Sequence, residues 1–191
     1  MEDKQMKIRK RKWLLIIPGI FLICLWIHAV YRINREIPRT KSIVYQNGEW
    51  VPWKNGVEIL VKGGSFMEDS QIRGNQNVTE GMRYAGEMKL LWVDIELKNT
   101  SQTGARVDCL ELGAEAPGWA NIPNPDFYYT INEGKNGLQT ELEPGENIEY
   151  SLPFLLLKNN FRNSEWKKVE QKEYYITLAL YPEKKMIAVQ T

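Results

Sequence analysis

The sequence predicts an all-β protein, an antiparallel β-sandwich preceded by a single N-terminal transmembrane helix. Three observations predict it. Residues 13–31, WLLIIPGIFLICLWIHAVY, hold no Asp, Glu, Lys or Arg. Beyond them, apolar residues recur at every second position in several short runs. Gly, Pro and Asn separate those runs at the spacing of an all-β domain.

The apolar run comes first. A helix rises about 1.5 Å per residue, so this stretch covers roughly 28 Å, the thickness of a bilayer's hydrocarbon core. Trp13, Trp26 and Tyr31 stand towards its ends, where amphipathic rings favour the headgroup layer. Pro18 lies one turn in, where a lost backbone bond costs least. The rival reading is a cleaved signal peptide, and with it a secreted structural domain. Its apolar part is shorter and ends in small residues. The best site here, Ile27-His28-Ala29, places the bulky Ile27 badly. A lipoprotein reading through Cys24 meets bulky Ile23 before it and a still apolar stretch after it.

Basic residues set the orientation. Residues 1–12 carry Lys4, Lys7, Arg9, Lys10, Arg11 and Lys12 against Glu2 and Asp3; residues 32–41 carry Arg32, Arg35, Arg39 and Lys41 against Glu36. The excess predicts a cytoplasmic basic tail (1–12), a transmembrane helix (13–31), a stalk (32–45) and an extracellular β-sandwich (46–191). Past residue 31 the chain holds 19 basic and 22 acidic residues. That balance offers no positive footprint for nucleic acid. Of two cysteines, Cys24 lies in the span and Cys109 outside it, so no disulfide can staple the outer domain. A cysteine-poor outer domain suits a bacterial surface protein.

Candidate turns follow at Asn47-Gly48, Asn55-Gly56, Gly63-Gly64, Gly74-Asn75, Thr103-Gly104, Gly134-Lys135 and Pro144-Gly145. Val57, Ile59 and Val61 alternate with Glu58, Leu60 and Lys62. In Met88–Lys98, Leu91, Val93, Ile95 and Leu97 face one way and Asp94, Glu96 and Lys98 the other, the pattern of a long half-buried strand. It ends at Asn99-Thr100-Ser101, whose side chains compete for backbone hydrogen bonds and favour a turn. Ile148, Tyr150 and Leu152 alternate again. Tyr174–Tyr181 reads as a strand, with Met186–Val189 pairing across Pro182–Lys185. Ser164–Glu170 is the one helical turn expected outside the membrane, with Ser164 as cap and Trp166 and Val169 on one face.

Seven or more such strands point to a sandwich of immunoglobulin-like type, without the Cys…Trp…Cys pattern of antibody domains. The stretch LLWVDIELKNTSQTG (90–104), then LEPGENIEYSLPF (142–154) and the closing pair YYITLALYP and KKMIAV, resembles the immunoglobulin-like outer domains of small Gram-positive membrane-anchored proteins of unknown function. The resemblance spans roughly residues 50–190 and implies a fold. It carries no catalytic residue.

Chemistry is scarce. His28, the only histidine, lies inside the apolar run, so the outer domain cannot assemble a Ser-His-Asp or Cys-His nucleophile or a histidine-ligated zinc site. Cys109 is expected as a core or edge-strand thiol, with Asp108 and Glu111 opposing its ionisation. Asp94 and Glu96 read as a solvated face balanced by Lys98, and Glu68-Asp69-Ser70 as solvated loop acids. No enzyme activity, metal or cofactor is expected. The candidate binding surface is the long segment Ala114–Ile131, with Trp119, Phe127, Tyr128 and Tyr129, because loops on a rigid sandwich carry recognition and Trp and Tyr dominate hot spots. The competing expectation is that Trp119 and a tyrosine cover the end of the core. Trp50-Val51-Pro52-Trp53 fits either a membrane-surface patch or an edge strand. The function expected is binding of a protein partner in the membrane or envelope. The alternative is binding of cell-wall glycan or a small solute.

Overall fold

Alternating apolar residues put one face of a strand into a core, and here they build two facing sheets. In a computed structural model describing residues 2–36, 41–74, 86–132 and 136–191, the chain divides into two units, Met1–Thr40 and Lys41–Thr191.

The first unit is one helix, α1 (Glu2–Glu36), with Pro18 inside it. Its stretch Ile17–Arg35 is long and apolar enough to cross a membrane.

The second unit holds the sheets. Strands β1 (Ser42–Tyr45), β11 (Lys184–Val189), β10 (Tyr174–Ala179), β6 (Gly113–Ala116) and β7 (Trp119–Asn121) form one sheet in that spatial order. Strands β2 (Trp50–Lys54), β3 (Val57–Glu68), β4 (Met88–Asn99) and β9 (Asn147–Leu157) form the second. Strands β5 (Ala105–Asp108) and β8 (Gln139–Leu142) make a separate antiparallel pair. Every neighbouring pair is antiparallel except β1 with β11. The architecture is an all-β sandwich.

The expected core faces meet between the sheets. Val57, Ile59 and Val61 of β3, Leu91, Val93, Ile95 and Leu97 of β4, and Tyr150, Leu152 and Phe154 of β9 are buried together with Ala114, Tyr174, Ile176, Leu178 and Ile187. Each fully buried aliphatic side chain contributes about 1.5–3 kcal/mol of transfer free energy.

Three expectations need correction. The stalk does not run over 32–45. Helix α1 continues to Glu36, and Ser42–Tyr45 is a strand because β11 offers it a backbone ladder, Ser42 against Lys184 through Tyr45 against Ile187. Gly63-Gly64 is a bulge inside β3, not a turn: the register jumps from Val61 opposite Ile95 to Gly63 opposite Asp94. A Cβ on Gly64 would come within 2.7 Å of Val189 Cγ1 and 3.1 Å of the Trp92 carbonyl oxygen, so only glycine lets the strands approach there. Strand β4 is not half-buried throughout. In its first half Met88, Leu90 and Trp92 are also enclosed, on the outer face, in a second cluster with Ile72 of α2 (Asp69–Gly74), Leu155, and Phe127 of α3 (Pro125–Ile131).

Turn chemistry locks the frame. Asn55 and Gly56 both have positive φ, +53° and +75°, which suits the tight β2–β3 hairpin. Strand β2 is an edge, where Pro52 is tolerated. The Asn99 and Pro144-Gly145 motifs meet. The Gly145 N–H donates to the Asn99 carbonyl (2.9 Å) and the Asn99 N–H to that of Glu146 (3.0 Å). The fully buried Asn99 side chain donates to the carbonyls of Thr103 (2.8 Å) and Leu142 (2.9 Å) and accepts from the Ser101 N–H and hydroxyl. The helical turn α4 spans Asn163–Trp166, so Ser164 lies inside it; the flanking Arg162 N–H donates to the Glu165 carboxylate at 3.3 Å. Trp166 and Val169 are buried as their spacing predicts. The expected turns Gly74-Asn75 and Gly134-Lys135 fall partly or wholly outside the described residues.

Candidate functional site

Three prolines suggest an irregular loop over 114–131, but the segment is a hairpin followed by a helix. Gly118, at φ +81°, turns β6 into β7. Pro125 occupies the first turn of α3, where its missing N–H costs nothing, and the Asn124 side chain accepts from the Phe127 N–H at 3.0 Å. The consequence corrects the expected aromatic surface. Trp119 is buried, its ring 5.9 Å from that of Tyr174 and edge-on to it. Phe127 lies in the second cluster, and Tyr128 is enclosed with its hydroxyl donating to the Asn136 carbonyl at 2.6 Å. Only Tyr129, 57% exposed, faces solvent. The four side chains do not share a surface, and three of them hold the fold together. Trp50-Val51-Pro52-Trp53 is the edge strand β2.

The candidate site is instead a groove that residue-by-residue reading missed. It opens against β6, β7 and β10, with a volume of about 580 Å³. Gly113 and Thr177 sit opposite each other in the ladder and line it with Glu115, while Ile122 and Leu180 contribute apolar side chains. A Cβ on Gly113 would rest in ordinary van der Waals contact, 3.8 Å from the Asn121 carbonyl oxygen and 3.9 Å from Thr177 Cβ, so a side chain there is sterically admissible. Glu115 accepts from the Thr177 hydroxyl (2.9 Å) and from Lys184 Nζ (2.5 Å). The groove therefore combines an apolar lining with a carboxylate held in place by two donors. The lining residues come from the β6–β7 hairpin with Ile122 and from β10 with Leu180, far apart in the chain, and that is why no local pattern marks them.

The ionisable groups elsewhere are tied into the structure. Cys109 is enclosed, and burial followed by the nearby Asp108 carboxylate pushes its thiol up to about 12. Burial and the carboxylate both disfavour the thiolate that nucleophilic attack requires. Asp94 accepts from the Ser151 hydroxyl (2.5 Å). Glu96 pairs with Lys62 (3.1 Å), and it is Lys62, not the expected Lys98, that balances this face. The acids of Glu68-Asp69 are paired too, Glu68 with Lys89 and Asp69 with Arg73. Lys89 is buried between Glu68 and Glu170. Burial pushes its ammonium down, but the two carboxylates outweigh this and raise it. Next to it Glu87 accepts from Lys158 Nζ (2.7 Å) and the Trp166 indole N–H (2.8 Å), which hold its carboxyl below the ordinary value. Among the described residues, no three His, Cys, Asp or Glu side chains group to hold a metal ion.

With the strand order and the groove in place, relationships can be read. Residues 29–185 match a domain of unknown function, DUF5028. The chain belongs to that family. The DUF5028 chain is also similar to solved structures. One is the yjhA protein from Bacillus subtilis, at 10% identity and a TM-score of 0.47, covering 76% of this chain and 99% of that one. Another is an uncharacterized β-sandwich protein from Clostridium difficile, at 13% identity and 0.44, covering 81% and 100%. A third is a functionally unknown protein from Listeria monocytogenes, at 8% identity and 0.48, covering 76% and 83%. No curated protein matches the DUF5028 chain.

Proposed function

We propose that this chain is a single-span membrane protein of a Gram-positive bacterium, with its N-terminus in the cytoplasm. Its immunoglobulin-like domain lies outside the cell and binds a protein partner there without catalysing a reaction. The observation that carries the reading is the groove beside Gly113. It offers apolar area from Ile122 and Leu180 around a fixed carboxylate, Glu115, which the Lys184 ammonium and the Thr177 hydroxyl hold in place. The helix supports the anchoring half: Ile17–Arg35 is long enough to span, and the basic excess before it favours a cytoplasmic N-terminus. Burial of Trp119, Phe127 and Tyr128 removes the stacking platform that glycan binding through these residues would need.

The test fills the groove. Gly113→Trp adds an indole at a groove-lining position whose Cβ meets no contact under 3.8 Å. Crosslinking in intact cells with the full chain is expected to recover a defined protein, and Gly113→Trp to lose it with unchanged circular dichroism. Equal recovery by both chains removes the groove from the reading. Protease shaving of whole cells checks the orientation, since a protected sandwich would reverse it.

A further inference from the structure

The most exposed large apolar side chains described in the sandwich unit are neighbours in one turn: Leu180, at 68%, and Tyr181, at 84%. The turn joins β10 to β11, and nothing in the hydrophobic core requires these two residues to be apolar. Its position is what gives it meaning. The Lys184 N–H, just past the turn, donates to the Lys41 carbonyl at 2.9 Å. Lys41 Nζ stands 4.0 Å from Glu183 within the turn, and Ser42 lies opposite Lys184 in the ladder. The turn is therefore bonded to the point where the chain enters the sandwich from α1. Five residues, 37–41, lie between Glu36 and Ser42. A chain of that length reaches at most about 20 Å.

We propose that the Leu180–Tyr181 turn dips into the headgroup layer of the membrane that carries the N-terminal helix. This rests on the anchoring reading above. An aromatic ring with a hydroxyl and an aliphatic neighbour form the pairing that partitions into the interface. Lys41, whose side chain is 75% exposed, supplies an ammonium for an anionic lipid phosphate. Lys184 is committed to Glu115, so the basic contribution is small and the apolar tip dominates. Leu180 also lines the groove. A turn seated in the lipid makes the groove open beside the bilayer, within reach of a partner embedded in the same membrane.

The full chain in phosphatidylcholine–phosphatidylglycerol nanodiscs containing spin-labelled lipid tests this. An environment-sensitive fluorophore is placed on Cys24 or, in a Cys24→Ser background, on Glu183→Cys or Thr191→Cys; the enclosed Cys109 does not label. Residue 191 follows the opposite end of β11. Interfacial seating predicts quenching at position 183 about threefold or more above that at 191, reduced by Leu180→Asp. Equal, weak quenching at 183 and 191 with strong quenching at Cys24 overturns the seating and leaves the anchor standing. Unquenched Cys24 overturns the anchor itself and the seating with it. Quenching at 183 that survives Leu180→Asp also overturns the seating, because proximity alone then accounts for it.

Discussion

The segment 114–131 and the turn 180–183 both carry aromatic and aliphatic side chains beside prolines, yet three of the four rings of the first are enclosed while Leu180 and Tyr181 of the second are exposed. In the first, Trp119 meets Tyr174, and Phe127 meets Met88, Leu90 and Trp92. In the second, Leu180 and Tyr181 project from the sheet with little of the protein over them. The difference teaches that aromatic composition does not locate a binding surface. What decides is whether the fold supplies a partner for the ring.

Stability measurements sharpen this contrast. In urea unfolding of the solubilised full chain, Phe127→Ala is expected to cost about 3–5 kcal/mol, because it empties a site the second cluster cannot refill. The same substitution at Tyr181 should stay within about 0.5 kcal/mol, and equal losses would break the comparison. Next comes Asn99→Leu, at about 2–3 kcal/mol: it strips the Thr103 and Leu142 carbonyls of a buried donor and loosens the turn that pins β9 to β4. Asn124→Ala, which removes the cap that presents Phe127, should cost about 1 kcal/mol by the same assay.

A smaller effect is electrostatic. The folded state holds the Glu87 carboxyl below its ordinary 4.5, first through Lys158 and then through the Trp166 indole. Stability from this group is present above that value and lost as pH falls through the lowered one. Thermal unfolding of Glu87→Gln between about pH 3 and pH 7 should show a shallower acid-side decline than the parent. An identical decline would show that the pairing at Glu87 does not reach the global transition.

The period-two runs of β3, β4 and β9 were legible because one face of each is continuously apolar and no remote partner is needed to see it. For Cys109 the sequence left a core or an edge-strand thiol open, since its acidic neighbours bear on ionisation and not on burial; the side chain is enclosed, in the short helical turn Cys109–Glu111. Strand β1 was not legible: it is four residues long, and its ladder partner, β11, lies at the other end of the domain. Segment 114–131 misled because proline marks boundaries as readily as loops. Pro117 precedes the hairpin's Gly118, and Pro125 opens a helix. The groove escaped because Gly113, Ile122 and Leu180 come together only through sheet order. The Lys89 cluster escaped because its acids stand 21 and 81 positions away.

The parallel pairing of β1 with β11 has a consequence for biogenesis. In a chain synthesised from its N-terminus, β1 is made before every other strand of its sheet and β11 after them. Closing such a remote pair is slow, since loop-closure entropy is lost before any contact rewards it. Until β11 arrives, the far side of β10 and all of β1 lack their backbone partners. A chain that stops short of residue 184 would leave β1 and β10 without the strand that joins them, open edges of the kind that pair with other chains.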